Sequence, residues 1–273
     1  MNRYTWRTGL LEVAMVLVGV LFAFPLYVLL NISFRARNDP TSPLLPSLDP
    51  TIQNYVDAWG GTGLDKALVA SISVTAMSVT LGVFLAAMAA YAIVRVASRV
   101  SSLLFWTFLI GLLVPFQIGM IPLYFTMRDL HLLGNWLSLV IFYVGIQMPF
   151  SIFLYAGFLR ALPTDYEEAA WIDGASPSRA FWLVVFPLLR PITGTVIILN
   201  AITIWNDLLT PLLYLSGTPA ATVPVVIMSF VDQYVSNWPV IFAALVIGTG
   251  PILVTFFILQ RSVVKGFASG LKG

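Results

Sequence analysis

The sequence predicts an all-α polytopic membrane protein with six spanning helices, and two features carry that prediction. Hydrophobic residues make up 59% of the 273 residues and charged ones only 10%, against about 25% in an ordinary soluble domain. The charges fall in clusters, so that residues 13–34, 67–94, 100–127, 132–159 and 233–260 carry none, and 191–231 carry only Asp207. A helix needs about 20 apolar residues to cross a hydrocarbon core of roughly 30 Å, and each run is long enough. The chain has no cysteine and one histidine, His131, which excludes disulfides, thiolate or multi-histidine metal sites and a cysteine nucleophile. A net charge of +2 supplies no basic surface, so no nucleic-acid partner is expected.

The expected spans are 11–33, 67–93, 103–127, 136–159, 189–215 and 239–260, in one domain covering 1–273. The first follows Arg3 and Arg7, as a signal peptide would. Its apolar run is too long for one, and Asn31-Ile-Ser-Phe-Arg35 offers no cleavage site, so a retained helix is expected. Ser71, Thr75, Ser78 and Gly82 form a small-residue packing face in the second span. Pro115 and Pro122 are expected to kink the third. His131 reads as a solvated loop residue. With the N-terminus inside, the inner segments hold Arg3, Arg7, Arg95, Arg99, Arg160, Arg179, Arg190, Arg261, Lys265 and Lys272, and the outer ones Arg35, Arg37, Lys66 and Arg128. That excess puts both termini in the cytoplasm. Tyr4, Trp6, Trp136 and Trp238 sit near span ends as interfacial anchors in membrane lipid.

The longest inner connection, 160–188, carries the most information. Pro163 ends the fourth span. Thr164 and Glu167 are spaced as a capping box, and Glu167 and Glu168 lie where a helix dipole favours negative charge. Asp173 can cap the Ala175 or Ser176 amide, Gly174 fits a left-handed C′ position, and Ser176 with Pro177 can start a second short helix. Pro187 marks the break before the fifth span.

Glu168-Ala169-Ala170, three residues, Gly174, then nine residues to Val184-Val-Phe-Pro187 resembles the EAA loop of ATP-binding-cassette (ABC) importer permeases, E-A-A-x3-G-x9-I-x-L-P. Val replaces Ile and Phe replaces Leu. Ala89-Ala-Tyr-Ala92 before Arg95, Ile172-Asp-Gly-Ala175, Trp205-Asn206-Asp207 and the Lys-Gly tail resemble the carbohydrate-type, MalG-like subunit, a binding-protein-dependent inner membrane component, across nearly the whole chain. The tail departs from the usual Gly-Ala-Val-Lys-Gly by ending Ser269-Gly-Leu-Lys-Gly273, and the outer loop 34–66 is unmatched in detail.

The resemblance implies a multi-pass permease in a prokaryotic inner membrane. It implies a second permease subunit, two ATPase subunits and an extracytoplasmic solute-binding protein delivering a sugar. It implies that Glu168, Ala169, Ala170, Asp173, Gly174 and Pro187 couple the chain to an ATPase, and that loop 216–238, with Asp232 and Gln233, faces the binding protein. The C-terminal tail would reach toward the ATPases. No lysine follows a glycine, so the chain has no P-loop. No enzymatic activity and no bound cofactor are expected of it, with ATP and Mg used by the partner.

Two polar stripes are candidates for lining a path. The fourth span carries Tyr143, Gln147, Ser151 and Tyr155 every four residues. The fifth carries Thr193, Asn200, Thr203, Asp207 and Thr210, with Asn206 beside them. Their hydroxyls, amides and rings suit a sugar, although hydrogen bonds between helices use the same groups. An intramembrane carboxylate such as Asp207 is expensive and tends to be functional. An ion-coupled secondary transporter would also use it. Importers of oligopeptides or polyamines share the EAA loop. A membrane-embedded enzyme would need a catalytic cluster, and the acidic group Asp165, Glu167, Glu168 and Asp173 is accounted for by helix capping.

Overall fold

The computed structural model describes all residues except 1–4, 62, 97, 217, 219, 234–236 and 271–273, with the side chains of 232, 233 and 261–270 also outside the description. The side chains of Asp232, Gln233 and the C-terminal tail, expected to face partners, therefore lie outside the description. Among those described, every regular element is a helix. The chain divides into two compact units, residues 1–65 with 226–250, and residues 66–225 with 251–273.

The first unit begins with helix α1 (Trp6–Ser33), in which only Ser33 is buried. Thr5 and Thr8 cap its start reciprocally. Its end is tied to a compact loop: the Asn31 amide donates to the carbonyls of Pro43 and Leu45, both at 2.8 Å. In helix α2 (Gln53–Gly61), the buried Asn54 amide donates to the Ser33 and Arg35 carbonyls. Asp39 organises the loop between them. It accepts from the Ser47 and Thr41 hydroxyls, both at 2.6 Å, and from the Thr41 amide, and it pairs with Arg35 at 3.3 Å. These donors, the Ser47 hydroxyl foremost and the Arg35 guanidinium least, hold its carboxyl well below the ordinary carboxylate range.

The second unit is built on helices α3 (Leu64–Arg95), α4 (Arg99–Leu113), α5 (Phe116–Asp129) and α6 (Trp136–Ala161). Helix α6 contacts both α4 and α10 (Arg190–Trp205). The third expected span is not one kinked rod. Helices α4 and α5 meet at 101°. Val114, preceding Pro115, is extended with ψ 117°, the conformation a following proline favours. Pro122 stays inside α5. The fifth expected span is also broken: α10 ends at Trp205, and α11 (Leu209–Tyr214) starts beyond Asn206-Asp207-Leu208. The remaining elements are α7 (Asp165–Ile172), α8 (Pro177–Ala180), α9 (Phe186–Leu188), α12 (Val223–Gln233) and α13 (Trp238–Gly270), the last two shared between the units.

Four helices (α1, α3, α6 and α13) are long and apolar enough to cross a membrane unaided. Two bent pairs, α4 with α5 and the stretch Pro177–Leu188 with α10, raise the number to six. This is a multi-pass membrane protein. The small-residue face of α3 packs as expected: Ser71, Thr75, Ser78 and Gly82 are all buried, and the Ser71 hydroxyl accepts from the Val223 amide at 2.9 Å. His131 is exposed in the turn after α5.

Candidate functional site

At one end of the second unit, the connection 160–188 forms a helix, a turn and a second, distorted helix. Helix α7 closes with a Schellman pattern: the Ala175 amide donates to the Ala170 carbonyl and the Gly174 amide to that of Trp171. Gly174 has φ +82° with nothing within 4 Å of an added Cβ. Backbone conformation, and not space, is what requires glycine there. Because Ala175 is satisfied by Ala170, Asp173 does not cap it. Ser176 caps α8 by accepting from the Arg179 amide, with Pro177 at its first turn. A π-helical turn, Phe181–Val185, then widens the backbone just before Pro187, whose ring would otherwise meet a carbonyl one turn back.

The expected capping box does not form. The Thr164 side chain caps no amide and donates instead to the Glu168 carboxylate at 3.0 Å. Glu167 turns inward, is 1% exposed, and accepts from the Arg95 Nε at 2.9 Å. Arg95 also donates through Nη1 to the Leu159 carbonyl at 3.2 Å and through Nη2 to that of Leu162 at 3.0 Å. One guanidinium at the end of α3 therefore holds the orphan carbonyls at the end of α6 and the base of α7. A tertiary ion pair has displaced a local cap.

Aromatic contacts join α3 to the far side of the same loop. Tyr91 meets Phe181 at 4.9 Å between centroids, and Phe84 meets Trp182 and Phe186 at 5.6 and 5.5 Å. Behind these anchors α7 presents an open face: Glu168, Ala169, Asp173 and Gly174 are exposed, as are Trp171 and Ile172, the last at 86%. Ala170 is buried and Pro187 half-buried, so these two of the six loop residues singled out support the loop from behind.

Nearer the other end, the two stripes separate into two groups. Asn200 donates to the Ser151 hydroxyl at 3.0 Å, and Tyr155 to that of Thr193 at 3.1 Å. Ser151, Tyr155 and Asn200 are almost fully buried and pin α6 to α10. Gln147, Thr203, Asn206 and Asp207 instead line a cavity of about 280 Å³ with Tyr143, Phe116 and Phe142. It lies at the break between α10 and α11. Asp207 makes that break: its Oδ1 accepts from the Leu209 and Thr210 amides at the start of α11, and its Oδ2 accepts from the Tyr143 hydroxyl at 3.0 Å. Asn206 returns its amide to the Ile202 carbonyl, and Thr203 its hydroxyl to that of Leu199.

Two features escaped the sequence. Glu167 reads as a first-turn acid, and its partner lies 72 residues away, beyond any local spacing rule. Arg95 marks the end of the second expected span, but nothing in the pattern says which group it meets. Among the described residues no group of histidine, aspartate and glutamate could hold a metal ion.

The family model and the sequence relatives point to one family. The family described as "Binding-protein-dependent transport system inner membrane component" matches residues 78–269. The "Probable starch degradation products transport system permease protein AmyC" of Thermoanaerobacterium thermosulfurigenes is 32% identical, over 93% of each chain. The "Trehalose transport system permease protein SugB" of Mycobacterium tuberculosis is 35% identical, over 83% of each. Among solved structures, a chain of a bacterial ABC transporter involved in the import of the acidic polysaccharide alginate superimposes with a TM-score of 0.80 at 21% identity, covering 96% of this chain and 99% of that one. At that identity the likeness concerns the fold.

Proposed function

This chain belongs to the family of binding-protein-dependent transport system inner membrane components, and from that premise we propose that it is one permease subunit of an ABC importer for a sugar or oligosaccharide. All 273 residues act as one permease domain, paired with a second permease. Two ATPase subunits use ATP and Mg, and this chain holds no cofactor of its own. An extracytoplasmic binding protein delivers the substrate. The relatives' names, starch degradation products and trehalose among them, support a carbohydrate. The loop charges support cytoplasmic termini and a cytoplasmic 160–188.

The observation that carries the reading is the outward face of α7 on a fixed base. Ile172, Ala169 and Trp171 offer an apolar knob, and Glu168 and Asp173 offer charge to a basic partner. Gly174 sets the turn, and Pro187 with the π-helical turn sets the exit. A push on this face reaches α3 through Arg95 and Phe84, and reaches α10 across the 75° bend after Leu188. Closure of the ATPases then tilts spans as rigid bodies. Gln147, Thr203, Asn206 and Asp207 line the path, and Ser151, Tyr155 and Asn200 hold the two helices that frame it.

Affinity purification of the tagged chain from native membranes, with mass spectrometry and an ATP-hydrolysis assay, tests the reading. It expects a second permease and an ATPase in the eluate. Recovery of this chain alone from a mild detergent, with no hydrolysis, would refute it.

A further inference from the structure

Resting on that sugar-import reading, we propose that the cavity at the α10–α11 break is a carbohydrate subsite within this chain, shaped for one neutral pyranose ring and closed to acidic sugars. Its volume of about 280 Å³ falls just under the roughly 300–1,000 Å³ typical of pockets for larger ligands, which fits a single ring. Gln147 is 9% exposed, lines the cavity, and its Nε2 has no partner. A buried amide with both hydrogens unspent is costly in the absence of an acceptor. A sugar hydroxyl is such an acceptor.

The complementary group is Asp207. Its Oδ1 is committed to α11, but Oδ2 takes only the Tyr143 hydroxyl among the described contacts, leaving capacity to accept a second hydroxyl. Phe116 and Phe142, edge to face with centroids 6.5 Å apart, form an apolar wall for the C–H face of a ring. Gln147 is eleven residues beyond Trp136, the first of α6, so the site lies roughly 16 Å into the helix. At that depth a second anion beside Asp207 is poorly screened and repelled. An uncharged ring meets a donor, an acceptor and a stacking wall without that cost.

The chain has no cysteine, so Thr203→Cys places one thiol on the exposed rim of the cavity. In the assembled complex, its rate of labelling by a small maleimide reads occupancy. D-glucose, D-galactose and N-acetyl-D-glucosamine are the neutral probes, and D-glucuronate at equal concentration is the acidic one. At least one neutral probe is expected to slow labelling, and glucuronate is expected to leave it unchanged. Asp207→Asn keeps the cap on α11 but should weaken neutral protection about tenfold, as expected for a lost hydrogen bond to a charged group, and should admit glucuronate. Gln147→Met should assemble as well as the parent and protect less.

No protection by any neutral probe overturns the proposal. So does equal protection by glucuronate with Asp207 intact, or undiminished protection in Gln147→Met. Hydrolysis by the co-purified ATPase reports separately on the importer: hydrolysis without protection sinks the subsite alone, and absent hydrolysis sinks the importer reading.

Discussion

At the end of the second unit that carries α7, Glu167 is 1% exposed and its Oε1 is paired with Arg95, whose other donors go to the carbonyls of Leu159 and Leu162. At the α10–α11 break, Gln147, Thr210 and Tyr214 each keep a buried polar atom without a partner. The same bundle thus pairs the charges of one polar cluster and leaves buried polar atoms of the other unpartnered. A buried ion pair in low dielectric is stiff, because moving either member leaves an unpaired charge. An open cluster can exchange partners with a passing hydroxyl. The first arrangement suits a mechanical joint and the second a surface that substrate touches.

The joint should give the largest response. Arg95→Ala leaves Glu167 buried and unpaired, and loss of one member of a buried pair costs about 3–5 kcal/mol. The purified complex should melt earlier, and ATP hydrolysis should become uncoupled from uptake. Arg95→Lys should recover part of the loss, because an ammonium cannot reach three divergent acceptors as the guanidinium does. Equal stability of Arg95→Ala and the parent would break the comparison.

Gly174→Asp comes next. A side chain at φ +82° costs about 1–2 kcal/mol, enough to misdirect α7 without unfolding the spans. The variant should remain in the membrane and lose the ATPase on co-purification. Gln147→Met should do the reverse of Arg95→Ala. It removes an amide whose burial costs about 1–3 kcal/mol when unpaired, so thermal stability should hold or rise while sugar-dependent uptake falls.

The smallest effect concerns the loop 34–50 of the first unit. The Asp39 carboxyl is held below its ordinary value of 3.8, so its stabilising contribution is present above that pH and lost as pH falls below it. Hydrogen-exchange protection in residues 39–47, taken relative to the intrinsic rate at each pH, should fall under acid, and Asp39→Asn should remove that dependence.

Much of the fold was legible because an uncharged run long enough to span has few alternatives. Residues 13–33, 67–94 and 136–159, the bulk of three uncharged runs, lie inside α1, α3 and α6. The bends were not legible in their size. Hydropathy is blind to direction, so Pro115 announced a disturbance but not 101°, and Asn206-Asp207 looked like polar residues within a span although Asp207 ends one helix and starts the next. In the loop, Gly174, Ser176 and Pro177 took the expected places because caps are local. Glu167 did not, because Arg95 outcompetes a backbone amide for a buried carboxylate. The polar stripes were visible by period, but their division into pinned and open members depends on which side chains α6 and α10 bring face to face.

The most direct test of the central claim, that the exposed face of α7 meets an ATPase, uses Ile172→Cys in the otherwise cysteine-free chain, labelled with a thiol-reactive photo-crosslinker in native membranes. Leu48→Cys, at a position 84% exposed in the loop of the first unit, is the control. Capture of an ATPase subunit from position 172 and not from 48 is the result expected. Failure to capture it at 172, or equal capture at 48, would contradict the account.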